Sequence, residues 1–582
     1  MRKTSWRTLA AVLSLLIAAH LAAASAELFP DLAVEIERNV PARMRDGVTL
    51  RADLLRPAAG GPCPAILWRT PYGLERTWHQ NPLLLRLARS GYLVVVQDVR
   101  GRYASEGRFD PYRQETADGY DSVEWAATLP GCNGKVGMVG LSYPGAVQWL
   151  AAVAAPPHLT AIAPAMCFSN GRQFFFFGGA FDLSWIGWAY RNIAPEERRR
   201  SALPGPRTAA EADEVWSRNR EVWVRSQPLR ELAPLKDVAP FLFEWLSHPE
   251  DGPYWDFANI ESKYSQVKVP SLNISGWYDE GYGPVGAVRN FNGTRQLGSQ
   301  LVLGPWTHGD PALTSVALGE LDFGPNAGMD YEGLILRWCD RWLKGAGREA
   351  PSGSPVRIFV MGINQWREEK DWPLARAAPV SYYIGSNSSL VSSPPVAPQA
   401  PDRYLFDPRR PVVDPHRGAL GPFDQSPLEA RRDVLAYSTT SLERDLEVTG
   451  EIEAELWVSS TAPDTDFFVR LLDVHPDGKA YNLMSPTLEV QRARYRNGEG
   501  RAEFLVPGRP ECLRWRSLIT SNVFLKGHRI RVHVTSSLLP HLDVNPNTGR
   551  PIGADSSTRR AEQAVYHDPA HPSRVILPVI PR

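Results

Sequence analysis

The chain has 582 residues, 64 basic and 64 acidic side chains, and no net charge at neutral pH. That length exceeds one hydrophobic core and sets a prior of roughly two to four domains. Charge balance gives no argument for nucleic acid or an anionic membrane as a partner, and 51 prolines point to many loops and edge strands.

The N-terminus has the form of a secretory signal peptide. Arg2, Lys3 and Arg7 precede an apolar run from Leu9 to Leu21, and Ala24-Ser25-Ala26 is a small-residue cleavage site. The run is short for a membrane span, which takes about 20 residues. The expectation is export to the periplasm or medium, a mature chain starting near Glu27, and no stable membrane insertion afterwards. Five scattered cysteines (Cys63, Cys132, Cys167, Cys339, Cys512) have no metal-ligand spacing and no legible pairing.

Residues 34 to 57 read as two antiparallel strands around an Asp46-Gly47 turn. Pro64 to Arg69 is a short strand running into the loop Thr70-Pro71-Tyr72-Gly73. A helical segment, Leu83 to Ser90, precedes the all-apolar strand Leu93 to Val96. Such a strand suits a parallel sheet covered on both faces. Asp118 to Leu129 has helical spacing. Lys135 to Gly145 then reads as strand, sharp turn and helix, with Ser142 at the tip. This is the pattern of a nucleophile elbow, spelled G-x-S-x-x-G instead of G-x-S-x-G. An ordinary turn with a capping serine is the plainer reading of that stretch alone.

After a strand at Leu159 to Ala165 the alternation breaks. Residues 170 to 265 are aromatic-rich and helix-like, and read as a cap over the sheet edge or as an extra core layer. Phe174, Phe175, Phe176 and Trp185 are candidates for an apolar substrate pocket. Sheet pattern returns at Ser271 to Ser275, which leads into Gly276-Trp277-Tyr278-Asp279. Gln300 to Leu303 leads into Gly304-Pro305-Trp306-Thr307-His308. Tyr331 to Leu343 is an amphipathic helix. From about residue 349 onward, runs of strand composition (Val356 to Met361, Ser381 to Ile384, Glu451 to Ser459, Asp466 to Val474, Ser521 to Ser537) read as a β-sandwich or jelly roll. The expected division is a leader (1–26), an α/β domain in two parts (27–169 and 266–348), a helical cap (170–265) and the β domain (349–582).

A serine hydroxyl needs a base within hydrogen-bond reach, and the base needs a group that fixes its tautomer. Asp279 and His308 each follow a sheet strand, and the order Ser142, Asp279, His308 is that of α/β-hydrolases. His79 is a weaker rival base; Asp310 and Glu280 are weaker rivals for the acid. Stabilising the oxyanion takes two donors, each worth roughly 3 to 4 kcal/mol. One is the backbone N–H of Tyr143. The other comes from the Thr70-Pro71-Tyr72 loop, where the Tyr72 phenol is a candidate; on spacing alone a packed loop tyrosine is an equal reading. No H-E-x-x-H, P-loop or dinucleotide fingerprint is present. The expectation is therefore no cofactor, no metal, and a small-molecule ester or amide as substrate. Homo-oligomer formation stays open, and a non-catalytic binding protein is the reading of a different class.

Taken together, Arg69-Thr-Pro-Tyr72, Gln97-Asp-Val-Arg-Gly101, Ser105-Glu-Gly107, Gly137-Met-Val-Gly-Leu-Ser142-Tyr-Pro-Gly145, Gly276-Trp-Tyr-Asp279 and Gly304-Pro-Trp-Thr-His308 resemble the bacterial cocaine esterase family. That family stands beside α-amino acid ester hydrolases and X-Pro dipeptidyl-peptidases. The resemblance continues through Val360 to Trp366 and Ser521 to His528. It implies an α/β-hydrolase domain with a helical cap and a C-terminal jelly roll. It also implies a Ser142, His308, Asp279 triad, with the Tyr72 hydroxyl and Tyr143 amide as oxyanion hole. In α-amino acid ester hydrolases, carboxylates hold the substrate ammonium, two of them just after the catalytic aspartate. Here Glu280, Gly281 and Tyr282 follow Asp279, and Gly171-Arg172-Gln173 stand where the third would fall. A buried ammonium without a counter-charge is costly, so poor use of free α-amino substrates is expected.

Overall fold

In the run Leu-Val-Val-Val-Gln-Asp at residues 93–98 every side chain is buried. A strand without polar alternation needs cover on both faces, and helices flanking a parallel sheet supply it. The computed structural model describes residues 33–58, 61–309, 313–346, 353–484 and 489–581, and has this arrangement. The expected leader, 1–26, and Asp310 lie outside the described residues. Ten strands form the first sheet. They are β1 (Val34–Arg43), β2 (Thr49–Pro57), β3 (Cys63–Thr70), β4 (Leu93–Asp98), β5 (Cys132–Leu141), β6 (Leu159–Ala165), β7 (Leu272–Gly276), β8 (Gln300–Gly304), β9 (Val356–Val360) and β10 (Gln365–Glu369). Their order is β1-β2-β4-β3-β5-β6-β7-β8-β9-β10. Pairing is parallel from β4 through β9 and antiparallel at both edges.

Two features of this topology position the site. From β3 the chain passes to β4 on one side and then returns to β5 on the other. The loops leaving β3 and β5 therefore diverge at a switch in strand order, where open α/β sheets place their ligands. Tyr72 stands on one of these loops and Ser142 on the other. The second feature is a correction. Val356 to Met361, expected in the β domain, pairs with β8 and carries the first sheet on to β10.

Between β6 and β7 the chain is largely helical, from Gly171–Phe175 to a last 3-10 turn at Glu261–Gln266. Its longest helix, Ala209–Trp223, starts with a capping box in which Thr208 and Glu211 satisfy each other's backbone N–H groups. Its core is aromatic: Phe175 stacks on Trp245 at 3.8 Å and packs edge-on to Trp185 at 5.0 Å.

The remainder is β-rich. In Leu446–Ser460, Ile452, Ala454, Leu456 and Val458 are buried while Glu451, Glu453 and Glu455 alternate outward. This strand pairs antiparallel with Glu511–Phe524, and Asp466–Val474 pairs with Arg529–Thr535. The loop after β7 binds this unit directly, since Tyr278 Oη donates to the carbonyl of Asn482 at 3.2 Å. Among the described residues no helix is long and apolar enough to cross a membrane.

Candidate active site

β5 ends at Leu141, and Ser142 takes φ 66° and ψ −124° before the helix Tyr143–Val153 begins. A β-carbon-bearing residue in that region is strained, and the strain holds the side chain up at the end of the sheet. Backbone bonds fix the turn. Ser142 N donates to the carbonyl of Ala165 in β6, and the amides of Gly145 and Ala146 donate to Ser142 O, each at 2.9 Å. The two glycines of the motif have separate reasons. At Gly140 (φ 144°) an added Cβ would stand 2.5 Å from Pro144 Cβ, and at Gly145 it would stand 2.6 Å from the Ala165 carbonyl oxygen. The late glycine is thus the point where the helix crosses β6. Tyr143, at the first turn, carries one of the helix's early N–H groups, which lack an intrahelical acceptor.

Asp279 follows β7 and is fully buried. Its Oδ1 lies 2.6 Å from His308 Nδ1 and accepts the Glu280 amide at 2.7 Å, while its Oδ2 accepts the Ser275 hydroxyl at 2.6 Å. Any side chain at Gly283 would run into that carboxylate, so its absence makes the space. His308 follows β8 and, with Ser142 and Tyr72, lines one cleft of about 430 Å³. The structure therefore brings together all five residues predicted for chemistry. The rival His79 is exposed and stacks on Trp78 instead.

The apolar wall differs in detail from the expectation. Trp185 lines the cleft with Trp188, Tyr112 and Tyr282. Phe174 is a layer behind, 4.3 Å between ring centroids from both Trp185 and Tyr282. Phe175 is buried in the helical segment, and Phe176 borders a separate cavity of about 240 Å³ beyond Tyr282.

Three further contributors stand at the site, of which Glu280 was weighed from sequence only as a rival for the acid. Trp188 Nε1 donates to the Tyr72 hydroxyl at 3.1 Å. Below the elbow, the Tyr143 phenol donates to Glu115 Oε1 at 2.9 Å, and Glu115 is in a close buried ion pair with Arg69. Burial pushes the Glu115 carboxyl up and Arg69 pulls it back. Finally, Glu280 lines the cleft itself. Burial and the neighbouring Asp182 push its carboxyl up to about 8, against the pull of His308. Of these, only Arg69 stood in a quoted motif; the Trp188 contact depends on how the helical segment folds over the sheet.

Residues 46–310 match the model of the X-Pro dipeptidyl-peptidase (S15 family), and residues 351–576 match the X-Pro dipeptidyl-peptidase C-terminal non-catalytic domain. The chain is 36% identical to the cocaine esterase of Rhodococcus sp. (strain MB1 Bresler), over 94% of this chain and 99% of that protein. The solved aminopeptidase of a marine sediment archaeon, Thaumarchaeota archaeon, is 25% identical with a TM-score of 0.80, covering 95% of this chain and 97% of the other. A solved α-amino acid ester hydrolase shares the fold, at 24% identity and a TM-score of 0.77 over the same 95% and 97%. These relationships define a serine carboxylic ester hydrolase. The chain belongs to the bacterial cocaine esterase family, within the S15 group of serine hydrolases.

Proposed function

We propose that this is an exported serine esterase that works through an acyl-enzyme, with Ser142 as nucleophile, His308 as base and Asp279 as its orienting acid. The observation that carries the reading is the 2.6 Å His308–Asp279 bond, made at neighbouring strand ends and opening on the same cleft as the strained Ser142. Asp279 accepts from Nδ1 and so presents Nε2 to the cleft, the tautomer that takes the serine proton. Ser142 Oγ attacks the ester carbonyl, and the oxyanion is met by the Tyr143 amide and the Tyr72 phenol. His308 then protonates the departing alcohol, and water, deprotonated by the same imidazole, releases the acid.

The helical segment 170–265 acts as a cap whose Trp185 and Trp188 shape the acyl side of the cleft, which favours a bulky or aromatic acyl group. The β-rich unit is read as a jelly roll. Glu280, near neutrality, carries its proton and offers no standing counter-charge to an ammonium, which supports weak use of free α-amino substrates. The archaeal aminopeptidase keeps amide cleavage as the second reading, because the same triad can expel an amine.

The test is hydrolysis of p-nitrophenyl esters and anilides, with α-amino and desamino acyl groups, by wild type and Ser142→Ala. Expected are ester turnover, a loss of about a million-fold in kcat in the alanine variant, and no large preference for the amino form. Anilide turnover exceeding ester turnover would move the assignment to an amidase. A strong amino preference would overturn the reading of Glu280.

A further inference from the structure

Away from the ester cleft, one cluster of side chains has the donor set of a metal site. Asp473 lies near the end of strand Asp466–Val474, His475 opens the turn after it, and His528 immediately precedes strand Arg529–Thr535. These strands pair antiparallel with Val474 opposite Arg529, so both histidines meet across the strand ends. Their ring centroids are 4.4 Å apart. His528 Nδ1 is 2.8 Å from Asp473 Oδ1. One donor atom from each of the three lies within 4.8 Å of the other two.

The surroundings suit an ion. The three side chains line a cavity of about 140 Å³ whose other wall includes Tyr278, next to Asp279. That space admits a water molecule, which takes about 30 Å³. Asn522 Nδ2 approaches Asp473 Oδ2 at 3.4 Å and steadies the carboxylate from behind. Ligands at about 2.1 Å from a tetrahedral ion stand about 3.4 Å from each other, so small side-chain rotations close the set. Two imidazoles and a carboxylate suit zinc-like ions, whereas calcium and magnesium call for oxygen alone. A simple His528–Asp473 ion pair accounts for two of the residues; His475, which borders the same cavity and packs edge-on against Tyr481 at 4.7 Å, is no part of that pair. The histidines flank different strands, 53 residues apart, so no ligand spacing in the sequence announces them.

We propose that Asp473, His475 and His528 bind one divalent transition ion of the zinc class, with water at the fourth position, at the seam between the β-rich unit and the loop that carries Asp279. The test uses the mature chain without a polyhistidine tag, stripped with chelator. Zn²⁺ is titrated calorimetrically, and Co²⁺ is followed by its visible absorption. The expected result is one equivalent bound, a tetrahedral-type Co²⁺ spectrum, and a Zn²⁺-dependent rise in Tm. His475→Ala and His528→Gln should each weaken binding about tenfold or more, and Ser142→Ala should leave it unchanged. Absence of stoichiometric binding, or equal affinity in His475→Ala, overturns the proposal. If His528→Gln fails to fold, His475→Ala still decides, because its side chain sits on an open turn.

Discussion

Trp188 sets the direction of the Tyr72 hydroxyl. A phenol oxygen that accepts an indole N–H at 3.1 Å keeps its own hydrogen to donate. Burial raises the Tyr72 pKa, so that hydrogen stays in place across the neutral range. Tyr72→Phe should lower kcat about 100-fold to 1,000-fold, the range for losing one oxyanion donor, with KM and Tm nearly unchanged. An unaltered kcat would leave Tyr72 a packing residue. Glu280 gives a pH prediction. Its carboxyl is raised from 4.5 to about 8. Between these values the folded protein holds a proton that the unfolded chain has released, so stability falls as pH rises through the window and levels off above it. Glu280→Gln removes that contribution. The variant should gain in Tm relative to wild type as the buffer is taken from pH 5 to pH 8, both rough limits of the window. Parallel Tm profiles for the two proteins would contradict the assignment.

At the scale of single elements, legibility followed locality. The elbow was readable because strand, turn and helix are contiguous, and β4 was readable because its run Leu93 to Val96 is uniformly apolar. The helix Leu74–Gln80 was not. Its N-cap Gly73 makes no side-chain capping bond, and the segment Leu-Glu-Arg-Thr-Trp-His-Gln shows no apolar stripe. β9 was readable as a strand but not as part of the first sheet, because an apolar strand does not name its neighbour. The late glycine of the elbow belongs to the same class, since its reason is a partner strand. Gly145→Ala tests this. The added methyl has a backbone oxygen, Ala165 O, as its nearest atom, so the cost of overpacking, about 1 to 3 kcal/mol, falls on the helix and β6 together. Alanine's better helix propensity returns at most about 1 kcal/mol. The same Ala165 carbonyl accepts the Ser142 amide, so the displacement reaches Ser142. Expected are a lower Tm and a fall in kcat/KM beyond what the unfolded fraction explains. Wild-type kcat/KM at reduced Tm would show that the crossing supports stability alone.

On the scale of the whole molecule, the cleft depends on residues far apart in sequence. The helical segment supplies Trp185 and Trp188, and the β-rich unit holds that segment in place. Phe181 N donates to Asp543 Oδ1 at 2.6 Å, and Arg492 N donates to the carbonyl of Gly178 at 2.8 Å. The Arg492 guanidinium, almost wholly buried, pairs with Asp466 through two bonds of 2.9 Å and reaches Asp543 at 3.0 Å. None of this was legible beforehand, because arginines and aspartates are read from sequence as solvated unless a partner is known. Arg492→Met keeps much of the volume and removes the charge, which leaves Asp466 and Asp543 facing each other in the interior. Breaking a buried pair in this way costs about 3 to 5 kcal/mol. Urea unfolding should show a loss of that size, and ester turnover should fall as the Gly178 to Phe181 turn loses its anchor. The decisive comparison is Arg492→Met combined with Asp466→Asn and Asp543→Asn. If uncompensated charge is the cause, the triple variant regains part of the stability and of the turnover lost by Arg492→Met alone. If shape is the cause, the added asparagines lower both further, and the tie between the β-rich unit and the cleft is one of packing.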